Sequence, residues 1–236
     1  MIDLHNHILP KMDDGSKSVE ESVQLLTTLA SQKVTDAALT PHYLPGHEPI
    51  ATFLHRREKS YELLKPHLLP QMPKIHLGAE VSYYEGISDL KDIEKLRISD
   101  SKLLLVEMPI GKWSDYVVHE IMELACIPQT QVVLAHIERY QQLQSSAVWN
   151  QLLQNDILMQ VNATYFSSFS LKRKALRQLQ NNEIHFLGSD CHNTTTRPPN
   201  VGVAYEYIRR KMGQEFLNSF VEFGHSFFNS PISSVG

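Results

Sequence analysis

Two histidines stand two residues apart in Ile2-Asp3-Leu4-His5-Asn6-His7, at the head of the chain. If that apolar run is a strand, both imidazoles leave the same face and can hold one ion between them. Alone the pattern says little, because a buried histidine pair packs equally well. Its force comes from company. Asp14 follows closely, and Thr40-Pro41-His42, Gly78-Ala79-Glu80, Val106-Glu107, Ala135-His136 and Ser189-Asp190-Cys191-His192 each close, or nearly close, a short apolar run. Nine nitrogen and carboxylate donors without a cysteine exceed what one four-coordinate ion takes, and suit two or three divalent ions of the manganese, iron or zinc type. Such a set needs a carboxylate shared between ions, and Glu80 is the expected bridge.

The runs themselves indicate what holds these donors together. Stretches rich in Val, Ile and Leu recur at residues 2–7, 34–41, 75–81, 103–108, 132–137, 157–163 and 184–189, seven in all. Between them lie helical spacings such as Val19, Val23, Leu26, Leu29 and Ala30, or Val117, Ile121, Leu124 and Ala125. Ser18-Val19-Glu20-Glu21 reads as a capping box that opens the first helix. Strict alternation implies parallel strands joined by right-handed crossovers. The predicted fold is therefore α/β, a distorted seven-stranded (β/α)7 relative of the TIM barrel. In such barrels the C-terminal strand ends form the active rim. Strand one and its loop bring His5, His7 and Asp14 there; strands two to five bring His42, Glu80, Glu107 and His136; strand seven brings Asp190 and His192. Strand six offers only Asn162, expected behind the donors.

Composition agrees with this reading. At 236 residues, 42% hydrophobic, the chain can bury one sizeable core, and neither an internal repeat nor an interdomain linker is legible, so residues 1–236 are expected to form one domain. A net charge of −4 lacks the basic footprint of a protein that tracks duplex phosphates, which argues against a nucleic-acid partner. No apolar stretch approaches the ~20 residues of a spanning helix and no leader pattern opens the chain, so a cytoplasmic protein without membrane insertion is expected. Cys126 and Cys191 show no Cys-x-x-Cys spacing and are expected to be free thiols. The tail after Gly224 lacks sustained periodicity and is expected to be loosely ordered. Homo-oligomerisation stays open.

His5-Asn6-His7-Ile8-Leu9-Pro10, Asp13-Asp14-Gly15, Thr40-Pro41-His42-Tyr43, Gly78-Ala79-Glu80-Val81, His136-Ile137-Glu138-Arg139-Tyr140 and Ser189-Asp190-Cys191-His192-Asn193, followed by Arg197-Pro198-Pro199, run in this order along the chain. Together they resemble the polymerase-and-histidinol-phosphatase (PHP) superfamily, and more narrowly its bacterial tyrosine-protein phosphatases of capsular and exopolysaccharide biosynthesis. The resemblance runs from Met1 to about Gly202 and implies a PHP fold with a three-metal, usually manganese-dependent site. One ion would take His5, His7, Glu80 and Asp190, a second Glu80, Glu107 and His136, and a third Asp14, His42 and His192. Arg139 and Arg197 match arginines that hold phosphoryl oxygens in that family. The implied substrate is phosphotyrosine on a protein, with a tyrosine autokinase of polysaccharide assembly as partner.

The chemistry is independently consistent. Divalent ions lower the pKa of a bound water enough to supply hydroxide for attack on phosphorus, and guanidinium forks match phosphate oxygens. The runner-up activity is a small-molecule phosphomonoesterase of the histidinol-phosphatase type. A non-catalytic metal-binding regulatory module is the alternative outside enzymology, and a scaffold would have no need of two phosphate-clamping arginines. Cys191 to Arg197 also spells Cys-x5-Arg, the phosphate loop of thiol-dependent phosphatases. That loop contains no glycine, and its cysteine lies between two expected ligands, so the thiolate mechanism is set aside. His47, His55, His67, His76, His119, His185 and His225 lack such company and are read as surface or satisfied core. Tyr83 and Tyr84 are read as packing.

Overall fold

The computed structural model describes residues 1–99, 101–167 and 169–229. Its strands are β1 (Ile2–Asn6), β2 (Asp36–Leu39), β3 (His42–Tyr43), β4 (Lys74–Leu77), β5 (Glu80–Ser82), β6 (Leu103–Glu107), β7 (Gln131–Leu134), β8 (Leu158–Asn162) and β9 (Phe186–Gly188). The helices are α1 (Val19–Ser31), α2 (Ile50–Leu64), α3 (Asp115–Ala125), α4 (Ser146–Gln154), α5 (Phe169–Gln180), α6 (Val201–Met212) and α7 (Gln214–Asn229). All the strand pairs are parallel, in the orders β1-β2-β4 and β3-β5-β6-β7-β8-β9. Each of the seven expected runs contributes a strand. The second and third carry on into β3 and β5 after breaks at the same level, Thr40-Pro41 and Gly78-Ala79. Pro41 has no amide hydrogen to give a ladder, and a Cβ on Gly78 would lie 2.7 Å from Ile98 Cγ1. Backbone bonds from Thr40 to Asn6, Gly78 to Leu39 and Glu80 to Pro41 (2.9, 2.9 and 3.0 Å) carry the curve across the step.

The last strand meets the first. Asp190 N–H donates to the His5 carbonyl at 2.8 Å and His7 N–H to that of Cys191 at 2.9 Å. Gly188 allows the approach, since a Cβ there would stand 2.6 Å from His5 Cβ. Parallel strands covered on both faces read as nearly unbroken apolar runs, and Leu103 to Val106 of β6 are all fully buried. Alternate residues separate cleanly: Leu104, Val106, Val132 and Leu134 belong to the same outer cluster as Leu25, Leu29, Ile121 and Leu124. Ile2, Leu4, Ala38, Leu103, Leu105, Val133, Leu158 and Phe186 fill the interior instead.

β1 departs from a regular strand. Its register against β2 runs Asp3 to Ala37 and then Asn6 to Leu39, so one extra residue is inserted between Asp3 and Asn6. This bulge reverses the side-chain alternation. Leu4 therefore packs into the apolar interior, while His5, one residue later, shares that interior and approaches Gln160 of β8. A flat strand would have sent one of them outward.

At the start of α1, Ser18 Oγ accepts the Glu21 amide at 3.2 Å as the capping box requires, but Glu21 Oε2 takes the amide of Lys17 at 2.8 Å, one residue before the expected partner. The expectation for the tail is corrected up to residue 229: α7 passes Gly224 and continues to Asn229. Aromatic packing explains the extension, since Phe223 and Phe227 lie 5.8 and 5.7 Å from the Phe186 ring. Gly224 lets the helix sit against Ile2. Residues 230–236, the rest of that tail, fall outside the described residues. Cys126 and Cys191 are free thiols, the first exposed and the second buried. Among the described residues no helix is long and apolar enough to cross a membrane.

Candidate metal centre

The nine donors named from sequence converge at the C-terminal rim around Glu80, the first residue of β5. Its Oε1 lies 2.8 Å from His136 Nε2, and its Oε2 lies 2.9 Å from His42 Nδ1, 3.2 Å from His5 Nε2 and 3.3 Å from His7 Nε2. Asp190 Oδ1 is 3.5 Å from His7 Nε2 and 3.8 Å from His5 Nε2. Glu107 Oε1 stands 3.3 Å from His136 Nε2. On the outer side, Asp14 Oδ1 lies 3.3 Å from His192 Nε2 and 3.6 Å from His42 Nε2.

Donor atoms within 4.8 Å of one another form four overlapping groups: His7, Asp14, His42 and His192; His5, His7 and Asp190; His5, Glu80 and His136; His42, Glu80 and Glu107. The first contains the implied third set, with His7 added. The second matches the implied first set without Glu80. Glu80, Glu107 and His136 do not form a group of their own; Glu80 joins His136 in one and Glu107 in another.

Several of these atoms lack hydrogen-bond partners within the protein. Glu80 Oε2, His42 Nδ1, His192 Nε2 and His136 Nδ1 are buried and make no hydrogen bond, so the short approaches around Glu80 Oε2 lack hydrogen-bond alignment. His5 Nε2 and His7 Nε2 face each other at 3.2 Å. Buried polar atoms left this way cost free energy, and lone pairs aimed at shared points are what a cation satisfies. The all nitrogen and oxygen donor set fits manganese, iron or zinc.

Electrostatics points the same way. Burial opposes charge on Glu80, yet the charge of His5, the hydrogen bond from His136 and the close approach of His42 hold its carboxyl well below the usual range. Asp190 is likewise pulled down to about 2, against burial, by His5, His7 and Arg197. Burial would lower His7 and His136, but neighbouring carboxylates raise them to about 10 and about 9. His192 is pushed down to about 4 by burial and by His7, whose ring centroid is 4.0 Å away. Carboxylates thus draw positive charge into a buried centre, and divalent ions supply it more densely than protons do.

Arg139 Nη2 donates to Asp190 Oδ2 at 2.5 Å, and Arg197 Nη2 reaches Asp190 Oδ1 at 2.7 Å. Both guanidinium groups are more than a third exposed, at the open side of the cluster. They line a cavity of about 190 Å³ with Thr164, Thr196 and Asn200. A second cavity of about 510 Å³, lined by Asp14, His42, His47, Arg56 and Glu107, opens on the opposite flank. A larger cavity of about 910 Å³ lies between α6 and α7 and contains none of the donors.

Four supporting residues escaped the choice of donors. Asp13 binds His7 Nδ1 at 2.7 Å. Gln160 Oε1 accepts the His136 amide at 2.7 Å, Asp3 holds the Ser189 amide and hydroxyl, and Glu138 receives the Asn162 amide. Polar residues inside apolar runs, as at Asp3 and Gln160, were the available signal. Asn162 does stand behind the donors, with Nδ2 2.8 Å from Asp190 Oδ2. His136 and Asp190 adopt left-handed φ of 32° and 50°, strained backbone that re-aims both side chains.

The Cys-x5-Arg segment is built differently from a phosphate loop. Asn193 Oδ1 accepts the amides of Thr195, Thr196 and Arg197 at 2.7 to 3.1 Å, so those groups are taken by the protein itself. Cys191 is fully buried in the apolar core, and burial together with Asp3 pushes its thiol well up. Tyr83, read as packing, donates to the buried Glu120 at 2.5 Å.

Residues 1–223 match the family described as capsular polysaccharide synthesis, CpsB/CapC. The tyrosine-protein phosphatase CpsB of Streptococcus pneumoniae is 31% identical over 233 residues, covering 90% of this chain and 91% of that protein. A solved structure from work on YwqE of Bacillus subtilis and CpsB of S. pneumoniae, described as metal-dependent tyrosine phosphatases, superposes with a TM-score of 0.81 at 24% identity, over 98% of this chain and 96% of that one. Histidinol phosphate phosphatase of Lactococcus lactis shares the fold more distantly, with a TM-score of 0.59 at 12% identity over 93% of both chains.

Proposed function

This chain belongs to the CpsB/CapC family of capsular polysaccharide synthesis, and from that premise we propose that it is a metal-dependent protein-tyrosine phosphatase. The observation that carries the reading is the pairing of a buried nitrogen and carboxylate cluster with two arginines at its open side. His5, His7, Glu80 and Asp190 would hold one divalent ion, Glu80, Glu107 and His136 a second, and Asp14, His42 and His192 a third, manganese being the first choice. Bound there, such ions would supply Lewis acidity and lower the pKa of water to furnish hydroxide for attack on phosphorus. Arg139 and Arg197 bind and orient the phosphoryl oxygens, trading their contacts with Asp190 for the substrate's charge. Asn162 keeps Asp190 in place while they do so. Cys191 takes no part, since its sulfur is sealed in the core.

The substrate is phosphotyrosine on a protein, with a tyrosine autokinase of polysaccharide assembly as partner. The reaction takes place in the cytoplasm, with residues 1–236 acting as one domain. Turnover of a phosphotyrosine peptide, of histidinol phosphate and of p-nitrophenyl phosphate, each with manganese and with a chelator, tests the reading. Chelator-sensitive turnover with the peptide preferred is the expected result. Preference for histidinol phosphate would move the protein to the small-molecule class, and metal binding without turnover would make it a regulatory module.

A further inference from the structure

Asp13 and Asp14 are adjacent in sequence and opposite in situation. Asp14 has a side chain 66% exposed and reaches outward to His42 and His192, whereas the Asp13 side chain is 8% exposed. Asp13 Oδ2 receives His7 Nδ1 at 2.7 Å and the backbone amide of His42 at 2.9 Å, and Oδ1 receives the Gly15 amide at 2.9 Å. An ionised carboxylate only accepts, so the His7 proton must sit on Nδ1. Nε2 is thereby the nitrogen left to face Glu80 and Asp190, open to an ion that displaces its own proton.

The loop can fold back this far because of Gly15. A Cβ there would lie 2.2 Å from the His7 carbonyl oxygen and 2.5 Å from His7 Cβ. The Ser16 amide then closes onto the same carbonyl at 3.0 Å. His7 belongs to two of the four donor groups, and so does His42. One carboxylate therefore ties the ring orientation of one shared donor to the backbone of another.

We propose that Asp13 is a positioning residue that sets the tautomer of His7 and couples the inner and outer ion positions through His42. The inference rests on the nine donors being metal ligands, and it concerns metal affinity rather than turnover. Loss of a carboxylate behind a metal-bound histidine typically weakens metal binding by about 10- to 100-fold. The loss here should fall on both positions together.

The test uses the full chain with Asp13→Ala and Asp13→Asn. Manganese affinity is measured by chelator competition, and protonation of His7 Nδ1 by nitrogen-15 NMR of the metal-free protein across a pH titration. For Asp13→Ala the expected results are manganese binding weakened by about 10-fold or more, fewer ions retained per chain, and His7 no longer held with its proton on Nδ1. Asp13→Asn keeps the shape and one acceptor oxygen, and should fall between wild type and Asp13→Ala. If Asp13→Ala does not fold, Asp13→Asn decides. Folded variants that bind manganese within about twofold of wild type, with His7 still protonated on Nδ1, overturn the proposal. A wild-type protein that binds manganese but leaves phosphotyrosine untouched would refute the phosphatase reading and leave this one standing.

Discussion

Buried and half-buried histidines gather at both ends of this barrel, and the two ends treat them differently. Toward the N-terminal end, His76 Nε2 sits 2.9 Å from Asp36 Oδ1, with its ring 4.2 Å from that of Phe228. His185 Nδ1 accepts the Met159 amide at 3.0 Å, and His225 lies 3.5 Å from the other oxygen of Asp36. At the C-terminal rim, His42, His136 and His192 each keep a buried nitrogen without a hydrogen bond, and four carboxylates crowd among five imidazoles. Among the described residues, the donor groups fall only at the rim. A histidine with its own partner completes a structure, whereas histidines that share unsatisfied lone pairs define a place for something else.

The sharpest way to break this contrast is to remove the carboxylate at its centre. Glu80→Ala should lose most bound metal and nearly all phosphatase activity, and lose more of both than His42→Ala, because Glu80 approaches four imidazoles. Metal analysis by mass spectrometry reads this directly, and a near-normal metal content in Glu80→Ala would sink the central role. Next come the arginines. Arg139→Ala and Arg197→Ala should keep their metal and lose activity by about 100-fold each, the scale of a preorganised charged donor. Metal loss in either variant would recast it as part of the cluster's own support.

A smaller effect is expected at the other end. Burial pushes His185 down to about 4. Below the unfolded value of about 6.5 the unfolded chain takes up a proton that the folded chain refuses, so stability falls as the pH drops from about 6.5 toward 4. His185→Asn keeps an acceptor for the Met159 amide without the titration. Unfolding free energies from urea titrations at pH 7.5 and 5 should therefore converge more in this variant than in wild type, by an amount on the order of 1–2 kcal/mol. An unchanged difference would mean that His185 is already protonated in the fold. The smallest effect belongs to Cys191, which stands between two rim donors yet packs in the core. Cys191→Ala should keep its metal and most of its activity; an inactive variant with a full metal complement would restore the thiol mechanism.

Much of this was legible in the chain because parallel strands buried on both faces write themselves as apolar runs, and donors at the rim must sit where those runs stop. Each of the seven runs contributes a strand for that reason. Less legible was what depends on distant partners. Glu21 caps Lys17 instead of Ser18, and α7 outlasts its weak periodicity because Phe186 and Ile2 lie beneath it. Asp3 and Gln160 interrupt apolar runs, and the partners that explain them, Ser189 and His136, come within reach only in the fold.

The amino-acid sequence by itself determined which donors exist, their order and the absence of sulfur among them, since these are properties of residue type and spacing. Tertiary structure alone decided where their lone pairs point. The bulge in β1 brings His5 onto the face that Leu4 also occupies, and left-handed backbone at His136 and Asp190 turns those two side chains. Asp13 is assigned to His7 while Asp14 is left to the rim. The physical reason is that a ligand's direction comes from torsion angles and register, which are set by hydrogen bonds closing between residues as far apart as His5 and Asp190.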